Sequence, residues 1–166
     1  AGLRKEESLA LRWDCVDLNA AAPILCIRWT STIYKNRAEI EDSTKSPAGA
    51  RDIPIPPPLF NHLKELQKTA KSDFVICGKN GNPLSGTQFR NMWAKIKRRS
   101  VGDGKYTRYD ERGKIVHKVK REAGQTAPHN PDVCYTIDFP IKTHMLRKTY
   151  ITNLIYSGVD VRTVMD

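Results

Sequence analysis

Apolar positions along this chain switch between a period near 3.6 and a period of two, and the switching predicts where helices and strands lie. Residues 3–13 read as a helix, with Leu3, Ala10 and Leu11 on one side and Glu6 and Glu7 near the positive end of its dipole. Residues 24–34 (ILCIRWTSTIY) are rich in β-branched and aromatic side chains and read as a strand. Residues 39–45 give a weaker second strand and Ser46-Pro-Ala-Gly49 a turn. Residues 50–55 give a third strand, where Pro54 belongs at an edge or an end. Together the three strands predict a small antiparallel sheet. Pro56-Pro57-Pro58 breaks the chain, and Leu59, Leu63 and Leu66 mark a helix running to about Ala70. Phe74 to Cys77 reads as a short buried extended piece, followed by turn residues 78–83.

Ser85 or Thr87 can cap the next helix, which carries Phe89, Met92, Trp93 and Ile96 and ends in Lys95, Lys97, Arg98 and Arg99. Residues 105–109 and 114–120 flank Asp110-Glu-Arg-Gly113 and predict a hairpin with basic positions, including Lys118 and Lys120; residues 133–139 read as a further strand. A last apolar helix opens at Thr143 and continues through Leu146, Tyr150, Ile151, Leu154 and Ile155, with Gly158 as its stop. One face of it is expected to be core. Asp160 then caps the start of another helix. The expected fold is therefore mainly α with a small antiparallel β-sheet (α+β). A single domain over residues 1–166 is expected, with a basic β-hairpin insert at about 102–139.

Charge sharpens this picture. The 166 residues carry a net charge of +10 and a pI of about 9.6, which favours a polyanionic partner, most often nucleic acid. The four cysteines, Cys15, Cys26, Cys77 and Cys134, form no C-x-x-C pair, and the four histidines show no zinc-site spacing. Free thiols in a reducing compartment are expected, with no metal and no cofactor. No apolar run reaches membrane length, so no membrane partner is expected. The abrupt start at Ala1 and the stop within a starting helix read as an excised fragment of a longer protein.

Candidate chemistry gathers at the two ends of the chain. His144 and Arg147 stand three apart at the start of the last helix and so share a face. Thr143 can cap that helix with its hydroxyl. An imidazole and a guanidinium together suit a phosphate, since Arg offers a rigid fork and His exchanges protons near neutral pH. Arg4 and Glu7 are likewise three apart. As an exposed helix pair they would contribute only about 0.3–0.5 kcal/mol; otherwise the carboxylate holds the guanidinium in one rotamer. Lys45 sits just before the predicted turn, where a lysine is ordinarily solvated. The cations at Lys97, Arg98 and Arg99 either complement the helix dipole or face phosphates, and Lys118 and Lys120 are candidate contacts to a DNA backbone.

Taken together these segments resemble the tyrosine recombinases, the phage-integrase family. Gly2-Leu-Arg-Lys-Glu-Glu7 with Leu9-Ala-Leu-Arg-Trp13 and Asp17 resembles the family's first arginine box. Thr44-Lys45 with Gly49 and Arg51-Asp-Ile-Pro-Ile55 resembles its β-hairpin lysine segment, and His144-Met-Leu-Arg-Lys-Thr149 its H-x-L-R box. The resemblance implies that Arg4 and Arg147 clamp a scissile phosphate, that Lys45 protonates the leaving 5′ oxygen, that His144 is an acid/base or donor at the same phosphate, and that Glu7 buttresses Arg4. Lys148 stands where the family commonly has His. The next box and the nucleophilic tyrosine are expected beyond position 166, while Tyr150 is expected as a core aromatic. The implied function is site-specific DNA recombination, integration included, through a 3′-phosphotyrosyl intermediate, in a phage or mobile-element setting and a bacterial cytoplasm. Implied partners are duplex DNA and other recombinase protomers. The fragment alone is expected to bind DNA without cleaving it. The alternatives are a non-catalytic DNA-binding module derived from an integrase, and an RNA-binding basic domain.

Overall fold

A computed structural model of the chain describes residues 1–42, 49–100, 105–109, 111–113, 115–120 and 139–160, with backbone alone at 98, 100, 105–109 and 115–120. The chain divides into two compact units, Ala1–Gln88 with Thr143–Asp166, and Phe89–Lys142. Four α-helices and small antiparallel sheets among the described residues make it an α+β fold.

The first unit opens with α1 (Lys5–Ala10), shorter than the periodicity of residues 3–13 predicts. Leu11 leaves the helix in an extended conformation because its carbonyl accepts from the Val75 N–H at 2.9 Å, and Arg12 bridges Phe74. Long-range pairing thus ends a helix whose side-chain pattern would allow nearly one more turn. Leu3 lies outside the helix but still packs on the core. A short 3-10 turn, Trp13–Cys15, leads into β1 (Val16–Asp17).

The predicted strand over residues 24–34 is two strands, β2 (Ile24–Ile27) and β3 (Thr30–Tyr34), interrupted at Arg28 and Trp29. β2 lies between β1 and β5 (Arg51–Pro54) in a three-stranded antiparallel sheet, with Leu25 opposite both Val16 and Ile53. β3 instead pairs with β4 (Arg37–Glu41) as a separate hairpin. Its two turn residues, Lys35 and Asn36, both take positive φ, at 45° and 67°. That is the two-residue turn whose twist matches flanking strands, and Asn is among the residues that tolerate it. Pro54 closes β5 at the sheet edge, where its missing N–H removes no ladder bond. The turn predicted at 46–49 lies, except for Gly49, outside the described residues.

Alternation along β2 puts Leu25 and Ile27 inward, 1% and 2% exposed. They form the core with Val16, Ile55 and Leu63, backed by Leu3, Leu11, Trp13, Leu59, Phe60 and Val75. Each fully buried side chain of this size contributes about 1.5–3 kcal/mol. Leu63 comes from α2 (Pro57–Lys68), whose first two positions are Pro57 and Pro58. Those prolines open the helix rather than break the chain, because the first-turn N–H groups have no intrahelical partner to lose. The piece at Phe74–Cys77 is held by bridges at Phe74 and Cys77, yet it is only half-buried and Cys77 is exposed. α3 (Gly86–Ser100) starts at Ser85, not Thr87. The Gln88 N–H donates to Ser85 Oγ at 3.2 Å and the Ser85 N–H to Gln88 Oε1 at 2.8 Å, a reciprocal capping box. Thr87 instead donates to Asn36 Oδ1 from both its N–H and its hydroxyl, at 2.8 and 3.0 Å.

α4 (Thr143–Tyr156) belongs to the first unit and ends as expected. Gly158 takes φ +85°. Its N–H donates to the Ile155 carbonyl at 3.0 Å, and the Val159 N–H donates to the Leu154 carbonyl at 3.1 Å, the Schellman arrangement. Thr143 is the first helical residue rather than the one before it. The expectation of a core face is not met, since no α4 residue is buried. Met145, Tyr150, Ile151 and Leu154 are half-buried, whereas Leu146 is 58% and Tyr156 86% exposed. The reason lies in the sequence: apolar residues surround this helix on all sides, so a neighbour on one side leaves others open. Positions 161–166, where a further helix was expected, lie outside the described residues.

In the second unit, Phe89 and Trp93 of α3 stack with ring centroids 6.5 Å apart. β6 (Lys105–Tyr109) and β7 (Ile115–Lys120) pair antiparallel around Gly113, which takes φ +74°. The strand expected at 133–139 lies, except for Phe139, outside the described residues. No helix among the described residues is long and apolar enough to cross a membrane.

Candidate functional site

The site is built outward from one buried carboxylate. Glu7 occupies the third position of α1, and its side chain is 1% exposed. Its Oε2 accepts from the Arg4 backbone N–H at 2.7 Å, capping the helix start that a residue without a capping side chain leaves open. Its Oε1 accepts from Arg4 Nη1 at 2.8 Å. Arg51, the first residue of β5, reaches the same carboxylate as a fork, Nη1 to Oε1 at 3.1 Å and Nη2 to Oε2 at 2.8 Å. Both oxygens therefore carry two hydrogen bonds each. Burial pushes the Glu7 carboxyl up, but the Arg51 fork, the Arg4 N–H and the Arg4 guanidinium outweigh it and hold it below the usual carboxylate range. The Arg4–Glu7 contact is thus no exposed surface pair, although the Arg4 side chain itself remains 55% exposed.

Arg147 approaches from α4. Its Nη1 donates to the Gly2 carbonyl, which ties α4 to the segment just ahead of α1. Gly2 has φ +65°, and a Cβ there would meet the Tyr150 ring at 2.5 Å. Only glycine therefore lets the chain pass under that ring and offer its carbonyl to Arg147. Tyr150 packs against Gly2 but is only half-buried and outside the buried core, short of the core aromatic expected at this place. Burial first, then the neighbouring Arg4 and Arg51 charges, lower the Arg147 pKa, with Glu7 opposing them.

Arg4, His144 and Arg147 line one open cleft of about 210 Å³ with Leu3, Lys5, Glu6 and Thr143. At about 30 Å³ per liquid water it holds several waters or a phosphate-sized anion. Lys5 Nζ and Glu6 Oε1 pair at 3.0 Å on its rim. His144 is exposed, and it and Arg147 face the same space, as their spacing on a helix requires. Two guanidiniums and an imidazole around one opening have the chemistry that suits an anion.

Not every predicted residue comes into view. Lys45 lies outside the described residues. Lys97 and Arg99 are exposed at the end of α3. The side chains of Arg98, Lys118 and Lys120 lie outside the described residues; the backbone places Lys118 opposite Thr107 and Lys120 opposite Lys105. Arg51 is the residue that sequence reading passed over. The sequence places it in a strand and in the segment that resembles the β-hairpin lysine box, with no role of its own; its partner stands 44 positions away, so no local spacing announces it. Among the described residues no group of three or more His, Cys, Asp or Glu could hold a metal.

No protein-family model matches the chain, and no curated protein matches its sequence. Solved structures do match. The Tn1549 transposon integrase (residues 82–397) in complex with circular intermediate DNA superposes with a TM-score of 0.62 at 15% identity, covering 98% of this chain and 46% of that one. A variant of the same integrase in complex with transposon right end DNA gives 0.63 at 14%, covering 98% and 45%. The fold is thus an integrase fold, and this chain spans slightly under half the length of the integrase chains it resembles.

Proposed function

We propose that this chain is part of the catalytic domain of a tyrosine recombinase that cuts and rejoins duplex DNA through a 3′-phosphotyrosyl intermediate. The observation that carries the reading is the shared cleft of Arg4, His144 and Arg147, with Arg4 fixed by a buried Glu7, on a fold seen in a DNA-bound integrase. Phosphoryl transfer is mostly positioning and stabilisation of charge on non-bridging oxygens, for which two guanidinium forks are suited. In this reading Arg4 and Arg147 hold the scissile phosphate and His144 donates to it or exchanges a proton there. Lys45 delivers the proton that the leaving 5′ oxygen needs. Lys97, Arg98, Arg99, Lys118 and Lys120 contact the DNA backbone and set register rather than sequence. Energy of the phosphodiester is kept in the covalent bond, so no nucleotide cofactor enters. Tyr150, packed over Gly2, is no nucleophile. In this reading the chain binds duplex DNA, and the covalent adduct forms on a tyrosine other than Tyr150.

The test is trapping. A longer protein containing this chain and its natural downstream residues is mixed with a nicked duplex that prevents religation, then denatured. A protein–DNA adduct that disappears with Arg147→Ala and maps to a downstream tyrosine is the expected result. Tight duplex binding with no adduct would replace the reading with a DNA-binding relative of integrases that does no chemistry. Losing one charge-stabilising donor should lower the rate about 10²–10³-fold.

A further inference from the structure

Around the cleft, four cationic side chains (Arg4, Lys5, Arg51, Arg147) meet two carboxylates (Glu6, Glu7). Lys5 pairs with Glu6. Glu7 is where the account becomes informative. If Arg4 were its only cation, the two would form a neutral pair, and Arg4 would attract a phosphate weakly even with its side chain exposed. Arg51 changes this. Its fork meets both Glu7 oxygens, whereas the Arg4 guanidinium meets only one. Arg51 is also the more enclosed partner, with a side chain 16% exposed against 55% for Arg4. Arg51 Nη1 also donates to the Gly49 carbonyl at 3.0 Å, and Arg51 is absent from the cleft lining.

We propose that Arg51 is a positioning residue that neutralises Glu7 from behind, so that Glu7 orients Arg4 without consuming its charge and the cleft keeps two cations for its anion. This rests on the reading of the cleft as a phosphate site. Arg51 touches no substrate and acts through Glu7 alone. Removing it leaves Arg4 as the counter-ion of a buried carboxylate, and Glu7, deprived of its strongest partner, protonates more readily. Loss of Arg51 therefore makes anion binding depend on the ionisation of Glu7: weak while Glu7 is charged, recovering as pH falls and Glu7 becomes neutral.

The test titrates the 166-residue chain with inorganic sulfate, whose charge is constant over the pH range used, and follows amide shifts of α1 and α4. Arg51→Met should weaken sulfate about tenfold at neutral pH, the order expected for one unit charge roughly 12 Å away at an effective dielectric of about 20. That deficit should shrink as pH falls, while the unchanged protein shows no such recovery. Arg51→Lys, which keeps the charge and loses the fork, should stay within about threefold of the unchanged protein. The double variant Glu7→Gln/Arg51→Met removes both buried charges together and should regain most of the sulfate affinity that Arg51→Met alone loses. The other charged groups bordering Glu7 are Arg4, Arg147, Glu6 and Arg28, with the thiols of Cys15 and Cys26 on its far side. His144 also lines the cleft, so the series is repeated in a His144→Asn background.

A deficit equal at every pH and unrelieved in the double variant would reduce Arg51 to a structural strut and overturn the proposal. So would an unchanged protein that takes no sulfate. Should Arg51→Met fail to fold, the double variant decides alone: sulfate affinity near that of the unchanged protein supports the proposal, a tenfold loss refutes it. A parallel titration with a mixed-sequence DNA duplex separates the two claims. Sulfate behaviour as described with no duplex binding leaves Arg51 its role and removes the recombinase reading. Duplex binding with a flat Arg51→Met pH profile does the reverse.

Discussion

The two walls of the cleft are made differently. On the α1 wall, Arg4 is held by a carboxylate with 1% exposure that carries four hydrogen bonds, in a helix whose Leu9 and Ala10 are buried. On the α4 wall, Arg147 rests on one backbone carbonyl and on the packing of Tyr150 over Gly2, in a helix that buries nothing. A buried ion network fixes geometry but fails badly when one member is removed; a wall held by a glycine contact fails by strain instead. The comparison predicts an ordering of effects.

Glu7→Ala should be the most damaging substitution, destabilising the fold by about 3–5 kcal/mol, because it leaves the half-buried Arg51 unpaired. His144→Ala, on the other wall and exposed, should change stability by less than about 0.5 kcal/mol. Urea unfolding of both variants checks the contrast, and equal effects would erase it. Gly2→Ala comes next, at about 1–3 kcal/mol for the left-handed backbone alone, with the Tyr150 ring pushed aside in addition. A crystal structure of that variant should show Arg147 separated from residue 2. Acid sharpens the same comparison. The Glu7 carboxyl is held low in the folded state, so its contribution is fully present above the ordinary carboxylate range and is lost as pH falls through its depressed value. Glu7→Gln should flatten that part of the stability–pH curve, while the α4 wall contributes nothing to it. A small effect of the opposite sign is expected at Ser31, buried in β3 with its hydroxyl unpartnered among the described residues. Ser31→Ala should be neutral or stabilising by up to about 1 kcal/mol in the same unfolding assay.

What the sequence disclosed follows from the range of the forces involved. The end of α4 at Gly158, the reciprocal cap at Ser85 and the start of α2 near the prolines are local devices, readable from a few neighbouring residues. Arg4, Glu7, His144 and Arg147 were also legible, because each pair sits three apart on one helix turn. The break of residues 24–34 into strands of two different sheets was not, since β-propensity says nothing about which partner a strand finds. The Lys35-Asn36 turn had a signal in Asn36, which tolerates positive φ, but it was masked by the stronger Pro and Gly turn signal at 46–49. Arg51 had none. Its role depends on a carboxylate 44 positions distant and on the burial of both, which only the fold determines.

The central claim is that the α1 and α4 walls together form one site for a DNA phosphate. The most direct measurement is duplex affinity against salt for the 166-residue chain and for Arg4→Ala, Arg147→Ala and the double variant. The account predicts steep dependence, with about 10³–10⁵ of affinity lost between about 50 and 200 mM salt if roughly 6–10 phosphates are contacted. Each single variant should lower the slope of log affinity against log salt by about 0.9, and the double variant by about twice that. A flat salt response, or slopes that ignore both arginines, would contradict it.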